Sequence, residues 1–372
     1  MLLLRKHIVL STFLAALAFI PKAGAGLYGY TNVNPYTREE ELLDIEVPPL
    51  TITNYREKMR DNLLMLIDYA KSQKPDFKII AHEGQELLTK SLWEYHLEGY
   101  NAARRQGINA SDPSFLTRLK EQSPAAEPAV GTPGRRYLNA LDAIVLNNLY
   151  CTPQHRPGSL LLKHKLPILS IEQCADELSF DKAIVQSVMD KRVIYGFDNP
   201  QYAFRDIKHL PVINETAKNV ISVNDAKNML ILTDESEYQD KYEFIDAIRN
   251  TNYDIVIIQP LFKRNQTYTP EEIASLQYKK NGTKRLLIAQ MNVSEANGRD
   301  YFWQKDWQVG YPSWLVRLSF VDEDSVIAKY WAVEWQRIIA RHFKSIVDSG
   351  FDGVFFTGLE NHLYFEKQTP LE

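Results

Sequence analysis

The chain has 372 residues, 45% of them hydrophobic, and its 43 basic and 47 acidic residues give a formal net charge of −4. A chain of this length can bury a large core in one or two domains. The mixed charges give no electrostatic reason to expect a nucleic-acid partner.

The N-terminus has the pattern of a secretory signal peptide. A basic segment at 5–7 precedes an apolar stretch at 8–20, and small residues follow at 23–26. The alternative is a membrane anchor, but this stretch is shorter than the roughly 20 residues that a bilayer span needs. We therefore expect an exported protein, secreted or periplasmic, with no membrane span after cleavage. The predicted division is a signal peptide at 1–25, an N-terminal extension at 26–50 and the main domain at 51–372.

Eight short apolar runs rich in β-branched residues alternate with stretches of helical period. The runs lie at 77–81, 142–147, 167–172, 192–197, 229–233, 254–259, 285–291 and 352–357. The clearest helices are predicted at 55–74, 241–250 and 331–349, and in the last of these Trp335, Ile338, Ile339, Phe343 and Ile346 share one face.

This alternation predicts an α/β fold, a (β/α)8 TIM barrel. Strands without strict polar alternation are buried on both faces, which is typical of a parallel sheet covered by helices. No glycine-rich dinucleotide or phosphate loop follows any strand, which weakens the alternative of an open Rossmann sheet. The strand at 352–357 leaves no room for a further helix, so it must pair with the strand at 77–81 to close the ring.

The two cysteines follow neighbouring strands of this predicted barrel. Cys151 comes after the strand at 142–147 and Cys174 after the strand at 167–172. An oxidising compartment permits them to form a disulfide. Two separate buried thiols are equally compatible with the sequence.

Carboxylates, amides and aromatic residues gather at the carboxyl ends of the strands, where barrel enzymes have their active sites. Examples are the segments AHEG at 81–84, IEQC at 171–174 and TGLENHLYF at 357–365. This content is typical of a carbohydrate cleft, in which aromatic rings stack on sugars and acids transfer protons.

Several long segments resemble the endo-α-1,4-polygalactosaminidase type of glycoside hydrolase, family 114, and related exported TIM barrels. They are PDFKIIAHEGQEL at 75–87, TNYDIVIIQPLF at 251–262, KKNGTKRLLIAQMNVSEANGRDYFW at 279–303 and WAVEWQRIIARHFKSIVDSGFDGVFFTGLENHLYFE at 331–366. Their order is circularly permuted relative to many members, because the segment at 75–87 usually comes late. The resemblance covers nearly all of the chain after about residue 50, and it implies an amino-sugar polysaccharide as the ligand and no cofactor.

The two acids that the family uses are replaced in this chain. Relatives end the last strand with an Asp, where this chain has Thr357, and carry a Glu where it has Asn147. Gln259 replaces a further strand-end Asp. Neither Thr nor Asn can act as a carboxylate nucleophile or a strong general acid near neutral pH. Glycoside hydrolysis ordinarily needs two carboxyl groups, about 5 to 9.5 Å apart.

Other carboxylates could substitute for the missing pair. Glu83 follows the strand expected between those of Thr357 and Asn147, Glu172 ends its own strand, and Glu295 keeps a family Glu. A pair of Glu83 with Glu172 or Glu295 would restore an acid and a base. The alternative is that these groups only hydrogen-bond across the barrel mouth. The remaining predicted ligand-binding residues are His82, Asn148, Gln259, Glu360, Tyr301 and Trp303.

Histidines and aromatic residues are open to two interpretations. His82 and His362 could reach the same mouth, but no metal-binding spacing accompanies them, so we predict sugar-contacting or polar roles and no metal. The aromatic residues Tyr301, Trp303, Trp307 and Trp314 could form sugar subsites or pack the rim.

Two functions therefore compete. One is a secreted glycoside hydrolase acting on an amino-sugar polymer through altered catalytic residues. The other is a non-catalytic barrel that binds such glycans or a protein partner. The fold alone does not decide between them, because function depends on the site.

Overall fold

The structure is a computed structural model that describes residues 29–33, 40–44, 52–107, 114, 128, 130–153, 157–197, 204–207 and 212–369. It divides into two units, one up to Thr51 and one from Ile52 onward. In the first unit β1 (Gly29–Val33) pairs antiparallel with β2 (Glu40–Asp44). The predicted signal peptide lies outside the described residues.

The second unit is built on a parallel sheet of eight strands that forms a nearly closed barrel. The strands are β3 (Lys78–His82), β4 (Ala143–Asn147), β5 (Ile168–Gln173), β6 (Val193–Phe197), β7 (Met229–Leu232), β8 (Ile255–Ile258), β11 (Leu286–Asn292) and β15 (Gly353–Thr357). Each lies within one or two residues of a run predicted from the sequence. The (β/α)8 prediction is confirmed.

Helices alternate with these strands and cover the barrel. They are α1 (Tyr55–Gln73), α2 (Leu92–Arg105), α3 (Pro133–Ala140), α4 (Ser159–Lys163), α5 (Glu177–Met189), α6 (Lys241–Arg249), α7 (Pro270–Leu276), α8 (Val333–Asp348) and α9 (His362–Gln368). Short 3-10 helices lie at Gln85–Leu88, Val223–Asp225 and Leu359–Asn361. None of the helices in the described part of the chain is both long and apolar enough to cross a bilayer.

The pairing of the first and last barrel strands is confirmed. β15 lies parallel to β3, with Val354 opposite Ile79 and Phe355 opposite Ile80. β15 pairs on its other side with β11. The strands β11, β15 and β3 therefore form one continuous parallel ladder.

The barrel is open at a different place, between β6 and β7, which are the two ends of the hydrogen-bonded strand order. Phe204 bridges this opening near the carboxyl ends. Its carbonyl accepts hydrogen bonds from Thr233 N (3.0 Å) and Asp234 N (3.1 Å), and its own N–H donates to Tyr195 Oη (3.3 Å). Phe204, a loop residue, thus accepts hydrogen bonds from backbone N–H groups that a neighbouring strand would otherwise pair.

The core fills the barrel and the layer under the helices. The strand interiors are apolar and buried, including all four residues of β7 and all four of β8. On α8 the residues Trp335, Ile339, Phe343 and Ile346 are buried, as predicted, and Ile338 is partly buried against the core. The helix ends at Asp348, and Gly350 just beyond it has a φ of +98°, the left-handed conformation that favours glycine after a helix.

Two small antiparallel sheets are added to the barrel after β8 and β11. β9 (Leu261–Phe262) pairs with β10 (Gln266–Thr267). Between β11 and α8, β12 (Glu295–Asn297) and β13 (Leu315–Leu318) flank β14 (Ser325–Ala328). We call this three-stranded sheet with its connecting loops the rim sheet (residues 295–328).

Cys151 and Cys174 form a disulfide, with Cα atoms 5.1 Å apart. The parallel pairing of β4 with β5 brings their carboxyl ends together, as the sequence predicted. Of the two interpretations of the cysteines, pairing is the one that the structure shows.

Candidate functional site

A cavity of about 830 Å³ opens at the carboxyl ends of the barrel strands. We call it the mouth cavity. Its floor comes from the strand ends, and one wall comes from the rim sheet and α9. The floor residues include His82, Gln259, Asn292 and Thr357, and the wall residues include Glu295, Arg317, Phe320 and Tyr364.

A smaller chamber of about 360 Å³ adjoins the mouth cavity. Asn147, Asn148 and Gln173 line it, together with the rings of Phe197 and Phe204. Glu83 and Glu360 line both spaces. These two carboxyl groups therefore stand at the boundary between them.

The two positions expected to carry catalytic acids both lie at the barrel mouth, one in each space. Thr357 lines the mouth cavity, and its hydroxyl has no hydrogen-bond partner among the described residues. Asn147 lines the smaller chamber. An unpaired buried hydroxyl is costly unless a ligand or water bonds it, so Thr357 is available to contact a ligand.

Asn147 is held by two neighbours on β3 and its following turn. The ring nitrogen His82 Nε2 lies 3.0 Å from Asn147 Oδ1. Because an amide oxygen can only accept, the imidazole donates through Nε2. Burial lowers the pKa of His82, although the hydrogen bond to Asn147 opposes this. His82 is therefore neutral near pH 7.

Glu83 is a carboxyl group at the mouth with a raised pKa and an unusual backbone conformation. Its Oε1 accepts a hydrogen bond from Asn147 N at 2.6 Å. Burial raises its pKa to about 7, the Asn147 hydrogen bond acts in the opposite direction, and the charges of Glu360 and Glu86 add to the rise. Its φ of +55° is unusual for a residue other than glycine. Such backbone conformations persist only where the surroundings enforce them.

Glu172 holds the loop after β4 in place and lies outside both spaces. Its side chain is fully buried and accepts hydrogen bonds from the backbone N–H groups of Leu149 (2.8 Å), Tyr150 (3.0 Å) and Cys151 (2.9 Å). The Ser170 hydroxyl is a further donor to it. Its oxygens are thus occupied in fixing the loop after β4, and Glu172 does not line either space.

Glu295 lies in the wall of the mouth cavity within a polar network. It accepts from Asn292 Nδ2 (3.0 Å), Asn361 Nδ2 (2.9 Å) and Ser319 Oγ (3.1 Å). Ser294 Oγ, which also receives a bond from Asn361, donates to the carbonyl of Gly358 at 2.6 Å. The network joins the ends of β11 and β15 and holds Glu295 in one orientation.

The predicted ligand-binding amides and Glu360 are distributed over both spaces. Gln259 lies in the mouth cavity and donates to Thr233 O at 3.3 Å. Asn148 lies in the smaller chamber, where its Oδ1 accepts from Gln173 N at 2.9 Å. Glu360 is exposed to solvent at the boundary.

The aromatic candidates separate into two groups. Tyr301 lines the mouth cavity and is 50% exposed, so its ring face is accessible. Trp303 does not line the cavity and packs edge-on against Trp307, with ring centroids 5.5 Å apart. Trp307 in turn packs on Trp314 at 4.9 Å. The three tryptophans form a packed rim.

His362 does not reach the mouth, contrary to our expectation. It is fully buried, its Nδ1 lies 2.8 Å from Leu359 O, and burial lowers its pKa to about 4. The residue starts α9, whose first turn points it into the core. Within the described part of the chain, no group of three His, Cys, Asp or Glu side chains is arranged to hold a metal ion.

Several residues of the site were missed by the sequence analysis. Arg264 pairs with Asp300 at 3.0 Å in the cavity lining, and Arg317, Phe320 and Tyr364 supply much of the wall. Most of them belong to the long segment between β11 and α8. Its length, nearly 40 residues, was the available signal, because long connections at the carboxyl ends of barrel strands often carry function.

A further buried acid lies outside both spaces. Glu235 follows β7, is 5% exposed, and its Oε1 has no hydrogen-bond partner among the described residues. Burial raises its pKa to about 7. Glu83 and Glu235 thus share a similar pKa, but only Glu83 contacts the cavities.

The cavity lining carries more acid than base. Its acidic residues are Glu83, Glu295, Asp300, Asp322 and Glu360, and its Lys and Arg residues are Arg264, Arg317 and Lys367. Arg264 is already paired with Asp300. The lining as a whole therefore favours a ligand that carries positive charge or many hydroxyl groups.

Comparison with known proteins identifies relatives, but these relatives are uncharacterized and indicate no activity. No protein-family model matches the chain. An uncharacterized protein of Methanocaldococcus jannaschii is 28% identical over 172 residues, which are 45% of this chain and 46% of that protein. An uncharacterized protein of Deinococcus radiodurans is 28% identical over 111 residues (30% of this chain, 34% of that one). For one of Thermotoga maritima the identity is 24% over 101 residues (27% and 30%). The chain thus spans less than half the length of these relatives.

Proposed function

We propose that this protein binds an amino-sugar oligosaccharide in the mouth cavity and does not hydrolyse it by the chemistry of the glycoside hydrolases that it resembles. The observation that carries the proposal is the placement of Thr357 and Asn147. Both line the spaces at the barrel mouth, where a carboxyl pair would be needed, and neither can supply one. The signal-like N-terminus and the Cys151–Cys174 disulfide support export as part of the same proposal.

The chemistry of the lining supports a sugar ligand. The cavity presents amides at Gln259 and Asn292, a hydroxyl at Thr357 and an accessible ring at Tyr301. Hydrogen-bonding groups that converge on a concave space beside aromatic faces are typical of small-molecule and sugar sites. A volume of about 830 Å³ lies within the usual range for such pockets.

The excess of carboxylates supports an amino sugar in particular. A free amine on the sugar is cationic near neutral pH and is attracted to Glu360 and Glu295 at the cavity wall. An N-acetylated sugar lacks this charge. A tetramer of α-1,4-linked galactosamine should therefore bind more tightly than its N-acetylated counterpart.

Isothermal titration calorimetry of the mature protein with these two tetramers tests the proposal. Glu360→Gln should weaken binding of the free-amine tetramer by about two- to fivefold, the range for an exposed charge pair. The same substitution should leave the N-acetylated tetramer unaffected. Glu237→Gln, which removes an exposed acid outside the cavity lining, is the matched control. Failure of both tetramers to bind would contradict the proposal.

A second candidate function is hydrolysis through a relocated acid. The pKa of Glu83, about 7, lets it hold a proton at neutral pH as a general acid must. Glu295 or Glu360 would then have to serve as the second carboxylate. This alternative predicts release of reducing sugar by the unmodified protein, and loss of that release in Glu83→Gln.

A further inference from the structure

The wall of the mouth cavity contains a cation held between aromatic rings. The Arg317 guanidinium carbon lies 3.8 Å from the centroid of the Phe320 ring and 5.4 Å from that of Tyr364. The two rings also contact each other edge-on, with centroids 6.1 Å apart. All three side chains line the cavity. We call them the arginine clamp.

Stacking fixes the plane of the guanidinium but leaves its edge available. Arg317 Nε donates to the carbonyl of Leu318 at 3.0 Å, which orients the group further. Arg317 forms no ion pair with any carboxylate of the described residues. Among the described residues, the N–H groups of its two terminal nitrogens have no bonding partner and are available to a ligand. Arginine presents these donors as a planar fork that matches a carboxylate or sulfate.

The surroundings of the clamp favour an anion that sits on an apolar surface. Phe320 is 63% exposed and the adjacent Val321 is 90% exposed, which are high values for such residues. Lys367, exposed on α9, also lines the cavity on this side. A half-buried, preoriented and unpaired arginine next to exposed apolar side chains is an arrangement that a ligand would complete.

We propose that the arginine clamp binds an anionic group, a carboxylate or a sulfate, carried by the glycan in the mouth cavity. The ligand would then combine amino-sugar units, which face the carboxyl groups of Glu360 and Glu295, with acidic units, which face Arg317. This inference rests on the proposed function for its glycan, whereas the anion site itself is independent of the sugar. It specifies the ligand class as an acidic, amino-sugar-containing polysaccharide.

The first test compares oligosaccharides that differ only in the acidic unit. Affinities are measured for an N-acetylgalactosamine tetramer and for tetramers in which N-acetylgalactosamine alternates with glucuronate, with and without sulfate. The acidic tetramers should bind at least about tenfold more tightly, as expected for a charge-assisted, bidentate contact. Arg317→Gln should abolish the difference between the acidic and neutral tetramers, and Arg317→Lys should restore only part of it. Arg299→Gln is the control, because Arg299 is an exposed arginine outside the cavity lining.

The second test uses inorganic sulfate and follows the Arg317 side-chain Nε–H signal by NMR. A saturable shift in the wild type, with no shift of the Arg299 signal, would support the anion site even if no oligosaccharide bound. A sulfate shift without binding of any oligosaccharide would overturn the proposed function but not the anion site. If sulfate leaves the Arg317 signal unchanged, or if the tetramers bind but the acidic ones bind no more tightly than the neutral one, the clamp does not bind anions and the inference is wrong.

Discussion

Glu83 Oε1 accepts a hydrogen bond from the backbone N–H of Asn147 at 2.6 Å, so a carboxyl group at the end of β3 is tied to the end of β4. Glu83 borders both the mouth cavity and the smaller chamber, and Asn147 lines the second of these. The pair therefore links Asn147, a position at which the family resemblance implies an acid, to a carboxyl group that bonds its backbone. The effects of this link on stability and on the pKa of Glu83 can be measured.

The first prediction concerns the pH dependence of stability. The folded-state pKa of Glu83, about 7, lies above its ordinary value of 4.5, so the folded protein holds this proton more tightly than the unfolded chain does. Its contribution to stability is complete below about pH 4.5 and is lost as the pH rises through 7. Glu83→Gln should therefore gain stability relative to the wild type between pH 4.5 and 8. Urea unfolding at several pH values measures this difference.

Glu360→Gln provides the complementary measurement. Because the negative charge of Glu360 helps to raise the pKa of Glu83, its removal should lower that pKa. The carboxyl carbon of Glu83, followed by NMR, should titrate at lower pH in this variant. An unchanged midpoint would show that Glu360 does not influence Glu83.

The second prediction concerns a buried ion pair at the amino-terminal end of the barrel. Lys279 Nζ lies 2.7 Å from Asp254 Oδ1, and both side chains are completely buried. Lys279→Met leaves the Asp254 charge unpaired and should cost about 3–5 kcal/mol in the free energy of unfolding. The double variant Lys279→Met/Asp254→Asn should recover part of that loss. Lys344→Met breaks the exposed pair with Asp348 and should change stability little, so an equal loss there would contradict this account.

The third prediction concerns Gly358, which follows β15 with a φ of +78°. A Cβ at this position would overlap Asn292 Oδ1 and Ser294 Oγ, two members of the network that holds Glu295. Gly282 has a similar φ of +84° but open space around it. Gly358→Ala should therefore lower stability by at least about 1 kcal/mol more than Gly282→Ala does. Chemical denaturation measures the free energy of unfolding of both variants. Because the two glycines have similar positive φ values, the difference between the variants reports the contribution of the network.

The fourth prediction concerns the disulfide. Cys151 and Cys174 close a loop with a sequence separation of 23 residues, so their replacement by Ser should lower the free energy of unfolding by about 2–4 kcal/mol. The Cys151 backbone N–H also bonds to Glu172. Reduction of the wild type should have the same effect as the double substitution. A reductant that leaves the thermal midpoint unchanged would show that the bond is absent in solution.

The sequence predicted the barrel because its signals are local and repeated. Each strand is a short apolar run, and the β3–β15 pairing follows from closing the ring between the first and last strands. The expectation that no helix follows β15 was wrong, because the short helix α9 lies at His362–Gln368. The opening between β6 and β7 could not be predicted, because it depends on the placement of Phe204 across the two strand ends. Local patterns do not contain that information.

The sequence predicted where the candidate site lies but only part of what its individual residues do. Glu83 and Glu172 have the same residue type and both follow barrel strands. Three backbone N–H groups surround Glu172, whereas burial and one N–H act on Glu83. These environments depend on loop conformations that residue type does not encode. Arg317 was missed for the same reason, since its significance comes from the rings of Phe320 and Tyr364.

The most direct test of the central claim measures binding and cleavage of a galactosamine oligomer in the same sample. The account predicts saturable binding by the wild-type protein, with no increase in reducing ends above the level without protein. Thr357→Asp/Asn147→Glu, which installs both missing carboxyl groups, should bind and also release reducing ends, whereas either substitution alone should not. Robust release by the wild type, abolished by Glu83→Gln but retained in the control Glu235→Gln, would contradict the claim and establish hydrolysis through Glu83.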